Sequence, residues 1–463
     1  MSIRAIATVT LAVAAMPLAA QQAPRTLPAP EAEYEEPFSQ LGIGSIRELR
    51  DGRLVVADPR DKVVSLVDMR RGSATKIGRE GSGPQEFGLP MRLYAAPGDT
   101  TLLYDAVNSR YLVIGPDGRP VNTFRTEADP VAQAGLGGGP PAGGQVVRPG
   151  AAGGGQGAAR PGAPGGQGAA RPGAPAGQGA ARPGGPGPGM MMLGAGLVAR
   201  ASDAQGRLYG EAMGISFDAD GRPQQADSAA LVRFDRGTRR LDTLAYVKLA
   251  RGNTQMSGGQ GNMRMMIGAA NPLTPRDEWT VFPDGRVAIV RGTDYRVDFI
   301  LPNGTRQAGA PIAYTPVRMN AAEIRYEEGL RNAARANQMS MLVSNNNGQI
   351  SRSAQMGPGA NAPPLEPLTD WPATKPAFRP GLASVLARPN GELWVRRTEN
   401  AQARGTLYDV INAQGAVAFQ VRIPEGLTLV GFGQNTIYTV RKDEDDLVYL
   451  QRHAAGEIPL RGN

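Results

Sequence analysis

Residues Gly52 to Asp68 read GRLVVADPRDKVVSLVD. Gly52 marks a tight turn, Leu54 to Ala57 form an apolar run that ends at Asp58, Pro59 to Lys62 make a charged loop, and Val63 to Val67 form a second run. Short β-branched runs bounded by turn residues read as paired strands. Related stretches return at Asp99, Gly206, Gly285, Gly391 and Asn435. With insertions removed the cycle spans about 40–60 residues, the period of a propeller or solenoid unit. The expected fold is therefore all-β, a six-bladed β-propeller. The last cycle supplies only about three strands. A strand within Ala29 to Phe38 is expected to complete that sheet and close the ring, which protects the edges an open sheet would expose.

The chain has 463 residues and no cysteine. Residues 1–20 have the form of a secretory signal: Arg4, an apolar run from Ala5 to Ala15, and the small-residue exit Pro17-Leu18-Ala19-Ala20. The run is too short to span a bilayer comfortably, no cysteine follows it to carry a lipid, and no later run reaches membrane-spanning length. A periplasmic or extracellular monomer with no integral membrane segment is expected. Without disulfides its cohesion must come from packing and closure. The net charge of +8 owes much to Arg4 and to Arg148, Arg160, Arg171 and Arg182, which lie where no acid occurs between residues 131 and 190. The remaining charges are mixed, unlike a phosphate-binding stripe, so no nucleic-acid partner is expected.

One propeller domain over 21–463 is thus interrupted three times. Residues 129–192 carry an 11-residue repeat beginning at Gln156, Gln167 and Gln178. That composition cannot offset ordering entropy, and disorder is expected. Residues 251–272 read as a Gly- and Met-rich loop. The thioethers of all three insertions, Met190 to Met192, Met256, Met263, Met265, Met266, Met339 and Met341, are candidates for soft Cu(I), but no cysteine and a single histidine stand behind them. Residues 318–376 read as a helix plus loop. Asn320 and Glu323 suit a capping box, and Met319, Ala322, Tyr326, Leu330 and Ala333 share one helical face. His453, at the end of the last strand, is expected to be a structural surface residue.

GRLVVADPRDKVVSLVD followed by GREGSGPQEFGLP, with Gly81, Gly83, Phe87 and Pro90 in place, resembles the NHL repeat family. The later cycles, notably PRDEWTVFPDGRVAIVRGTDYRVDF and YTVRKDEDDLVYLQRH, look like a group of uncharacterised secreted bacterial six-bladed propellers. The resemblance implies a fold and leaves the activity open.

Six positions beyond the anchors stand Asp58, Asp105, Ala212, Arg291, Arg397 and Arg441. Each ends the second strand of a blade, which in propeller geometry puts it near the upper rim of the channel, on the face that also carries the insertions. An acidic sector facing a cationic one would form a polar cleft, and converging guanidiniums suit a carboxylate or phosphate. The same groups could instead pair with one another or with blade-edge backbone and stabilise the ring. Three functions follow. The first is a binding module for an anionic small molecule, glycan or peptide. The second is a lyase- or lactonase-type enzyme using Asp58 and Asp105 around a divalent cation such as calcium. The third is an envelope scaffold whose Gly/Pro/Arg arm meets a protein or polymer partner. No cofactor motif and no catalytic constellation is recognisable.

Overall fold

A computed structural model describes residues 23–127, 197–217, 223–250, 254–257, 264–267, 271–336, 339–346, 349–356, 365, 367–381 and 384–456. The signal sequence expected at 1–20 and the disorder expected at 129–192 lie outside the described residues.

Six sheets form a six-bladed propeller. In the first blade Ile46–Glu48, Leu54–Asp58, Val63–Asp68 and Ser73–Lys76 pair in sequence order. The second blade takes Pro90–Ala96, Thr100–Asp105, Arg110–Ile114 and Pro120–Phe124. Ala199–Ser202, Leu208–Phe217, Pro223–Phe234 and Leu241–Lys248 make the third. Glu278–Val281, Val287–Arg291, Arg296–Ile300 and Arg306–Gln307 make the fourth. The fifth uses Val385–Ala387, Leu393–Arg396, Thr406–Ile411 and Val417–Ile423, and the sixth Leu427–Phe432, Thr436–Lys442 and Val448–Ala454. First strands of successive blades touch from the sixth blade round to the fifth, so they form the inner ring.

The anchor residues are turn residues for a physical reason. Gly52, Gly206, Gly285 and Gly391 have φ of 85°, 74°, 86° and 92°, and Asp99 has 61°. That left-handed region is open to glycine and tolerated by Asp. Asn435 makes its turn without a positive φ.

Between blades the strands alternate. Leu54 and Val56 face the sixth blade, while Val55 and Ala57 face the second. Both faces of Leu54–Asp58 are therefore buried, which explains its unbroken apolar run. Each of the six blade interfaces has its own apolar core among the described residues.

Ala32–Glu33 pairs antiparallel with the last strand, Ala32 opposite Arg452 and Glu33 opposite Gln451, and becomes the fourth strand of the sixth blade. Phe38 makes a further bridge to Val448. Arg25–Thr26 adds a parallel fifth strand to the fifth blade, which the strand count did not anticipate. His453 corrects its expected surface placement. It is fully buried, with Nδ1 2.8 Å from the Pro28 carbonyl and Nε2 2.8 Å from Thr439 Oγ1. The histidine thus fastens the closing segment from inside.

Helix α1, Ala321–Ala336, follows Asn320, whose Oδ1 accepts the backbone N–H groups of Ala322 and Glu323 at 2.9 and 3.1 Å. Glu323 turns away from the reciprocal capping contact. It and Glu327, one turn on, are the buried face of α1, while Tyr326 is exposed. The expected apolar face is thereby corrected: an ionic seam docks this helix. Lys375, itself buried, sits 2.7 Å from Glu323 and 2.8 Å from Glu327, and Arg379 adds a contact to Glu327 at 2.7 Å. Within the expected loops, Thr254–Ser257 pairs with Arg264–Ile267 and Met339–Asn346 with Gln349–Met356.

Candidate functional site

The antiparallel order of every blade places the ends of the second strands on the face where the chain passes between blades. Asp58, Asp105, Arg291, Arg397 and Arg441 therefore share the face that carries the insertions. They do not converge on one another: each is bound within its own sector.

Asp58 is buried, and its carboxylate accepts N–H groups from Ser39 and Gln40 at 2.7 and 3.1 Å and from Arg60 and Asp61 at 3.0 and 3.3 Å. Burial nonetheless pushes its pKa above the ordinary aspartate value. Asp105 likewise accepts from Gly88, Leu89 and Asn108 at 3.0, 3.1 and 3.4 Å. Asn108 Nδ2 and Arg110 hold the neighbouring carbonyls of Gly81, Gly83 and Glu86. The glycine-rich stretch Gly78 to Pro90 is thus a connection pinned by the next blade, with Phe87 buried between the two. At Gly78 a Cβ would lie 2.7 Å from the Gln85 carbonyl, so the close approach requires glycine.

In the fourth to sixth blades the same position meets carboxylates. Arg291 lies 2.7 Å from both Asp277 and Asp298, and although burial opposes its charge the two acids raise its pKa. Arg397 lies 3.1 Å from Asp409 and over the rings of Tyr295 and Tyr314 at 5.1 and 5.4 Å. Arg441 holds Glu33 of the closing strand in a two-pronged contact at 2.9 and 2.5 Å, which holds the Glu33 carboxyl below its usual value. Backbone N–H groups face this position in two blades, joined at Asp105 by Asn108 Nδ2 at 2.6 Å and Arg110 Nε at 3.5 Å, and carboxylates face it in three.

A second polar group lies further in, on the inner ring, where turn-anchored comparison could not find it. Arg92, Arg200 and Glu278 stand third, second and first in the first strands of three consecutive blades, so they share no sequence register. Arg200 contacts Glu278 and lies 3.3 Å from Glu211, with its guanidinium over the Trp279 ring at 5.3 Å. Trp279 Nε1 donates to Glu211 at 2.7 Å. Glu278 also accepts from Arg276 at 2.9 Å and from the Gly381 N–H at 2.8 Å, which ties in the connection that carries α1. Arg92 donates only to carbonyls, that of Arg200 at 2.7 Å and that of Ile43 at 3.4 Å. Burial pushes its pKa below the usual arginine range; nearby Tyr94 opposes this and Arg200 adds to it. Three guanidiniums thus face two carboxylates, and no carboxylate reaches Arg92 among the described residues.

Among the described residues no three His, Cys, Asp or Glu side chains group as metal ligands, and no helix is long and apolar enough to cross a membrane. In the acidic turn from Asp443 to Asp446, Asp443 Oδ1 accepts the N–H groups of Asp445 and Leu447 at 3.0 and 2.9 Å, as a hairpin turn does.

No protein-family model and no curated protein matches this chain. Solved structures similar to it include a member of the DUF4221 family from Bacteroides vulgatus, at 8% identity and a TM-score of 0.37, covering 91% of this chain and 94% of that one. Another is the calcium-binding protein regucalcin from Agrobacterium tumefaciens, at 10% identity and 0.31, covering 92% and 95%. Virginiamycin B lyase from Staphylococcus aureus is similar at 10% identity and 0.30, covering 90% and 97%.

Proposed function

We propose that this protein is an exported binding propeller that takes an anionic small molecule, glycan or peptide at the channel mouth on the insertion face. The observation that carries the reading is Arg92, a half-buried guanidinium with a second cation beside it and no carboxylate to balance it among the described residues. Buried cations are ordinarily paired, and charge-assisted, planar contacts from arginine suit carboxylate or phosphate. The five rim residues frame this mouth, and their contacts favour anchoring over ligand exchange. The metal-assisted alternative would have to free Asp58 and Asp105 from the backbone donors they already accept.

The test is calorimetric titration with citrate, inorganic phosphate, oligogalacturonate and an acidic peptide. At least one should bind, and Arg92→Gln should weaken it by about tenfold or more while Arg92→Lys retains part of the affinity. Arg291→Ala should lower the melting temperature and leave affinity within about twofold. Unchanged binding in Arg92→Gln, or no anion bound by the wild type, overturns the proposal. Recovery of the mature protein from the periplasm or medium tests its export.

A further inference from the structure

On the opposite face, between the second and third blades, lies a groove of about 310 Å³ lined by Ala96, Pro97, Val113, Arg207, Asp235 and Arg236. It continues past Arg236 into a space of about 380 Å³ against Phe124, Phe234, Arg125 and Arg239. Each lies near the lower end of the range for small-molecule sites, about 300–1,000 Å³. The floor is apolar: Val113 and Phe234 belong to the core between these blades and Phe124 packs against it. The walls are cationic, and their charges are unequally satisfied. Arg207 is held by Asp203 at 2.6 Å, and Arg239 donates to the Glu127 carbonyl at 2.7 Å. The Asp235 carboxylate accepts the Thr238 N–H at 2.9 Å. Arg236 has only the Phe124 ring, 4.3 Å beneath its guanidinium, and no acid pairs with it among the described residues. Burial alone pushes its pKa below the usual arginine range.

We infer that this groove is a second ligand site, for a small aromatic carboxylate whose ring lies over Ala96, Pro97 and Val113 and whose carboxylate meets Arg236. The chemistry follows from the juxtaposition. The apolar lining takes a flat hydrocarbon body, and a guanidinium seated over a ring with no acid partner among the described residues offers its N–H donors to a carboxylate. The chain's own 131–190 stretch, with arginines and no acid, has the wrong sign to neutralise it. The inference is independent of the channel-mouth reading, since the two sites share no residue.

The probe is 2-naphthoate, followed by its own fluorescence. Saturable binding is expected, weakened about tenfold or more by Arg236→Gln and by replacing the probe with naphthalene-2-carboxamide. Arg92→Gln should leave it unchanged. Protection of Arg236 from phenylglyoxal by 2-naphthoate, mapped on wild-type protein, supports the site without any variant. Binding weaker than about 1 mM, equal binding of acid and amide, or no protection of Arg236 overturns it.

Discussion

At the scale of single residues, one position six steps past a turn is used in five blades as a fastener. Asp58 and Asp105 receive the N–H groups of an incoming connection, and Arg291, Arg397 and Arg441 receive carboxylates. A charge at such a point was legible in the sequence because its distance from a left-handed turn residue is local. What each charge faces was not, because the partners lie up to 408 residues away. His453 shows the same limit: nothing local marks it as buried against Pro28. Its burial makes a prediction in pH. Desolvation depresses its folded pKa below the ordinary value of 6.5, so as pH falls through that value the unfolded chain takes up the proton first. Stability should therefore decline below pH 6.5, by at most about 1.4 kcal/mol per unit from this group. Denaturant titrations at several pH values check this, and His453→Gln should flatten the slope.

At the scale of elements, the strands were legible and the helix was read on the wrong face. Alternation in a strand reports burial directly, and the unbroken run Leu54–Asp58 reports burial on both sides. For α1 the apolar stripe pointed one way, yet the chain docks it through Glu323 and Glu327 onto Lys375. Binary patterning assumes an apolar core, and a buried ion cluster violates that assumption. Replacing Lys375 by Ala strands two buried carboxylates and should cost about 3–5 kcal/mol, whereas joint replacement of Lys375, Glu323 and Glu327 by Met and Leu should cost far less. Chemical denaturation of both variants distinguishes an ionic strap from a helix held by packing. If the single variant is as stable as the wild type, the seam is not what docks α1.

At the scale of the whole molecule, the sixfold ring could be counted from its turns, and the sixth blade, one strand short in its own cycle, takes its fourth strand from Ala32–Glu33. The inner-ring cluster of Arg92, Arg200 and Glu278 was not legible, because blade packing alone brings these three strands together. The insertion that separates the second and third blades leaves the ring where its flanks already meet: Thr126 Oγ1 donates to the Leu197 carbonyl at 2.9 Å. Since loop closure depends only weakly on length, replacing 128–196 by a short Gly/Ser linker should leave the melting temperature within about 3 °C. Differential scanning calorimetry of that variant is the check.

The pairing of Ala32–Glu33 with Val448–Ala454 has a consequence in time. A chain made from its N-terminus produces this strand among the first and can place it only after nearly everything else exists, since Glu33 and Gln451 stand 418 residues apart. Contacts of such separation are slow to form. Ring closure is therefore a late event, and until it happens the last sheet keeps an exposed edge, during which a neighbouring copy could donate its own strand. Dilution during refolding should favour the closed ring over such an exchanged species.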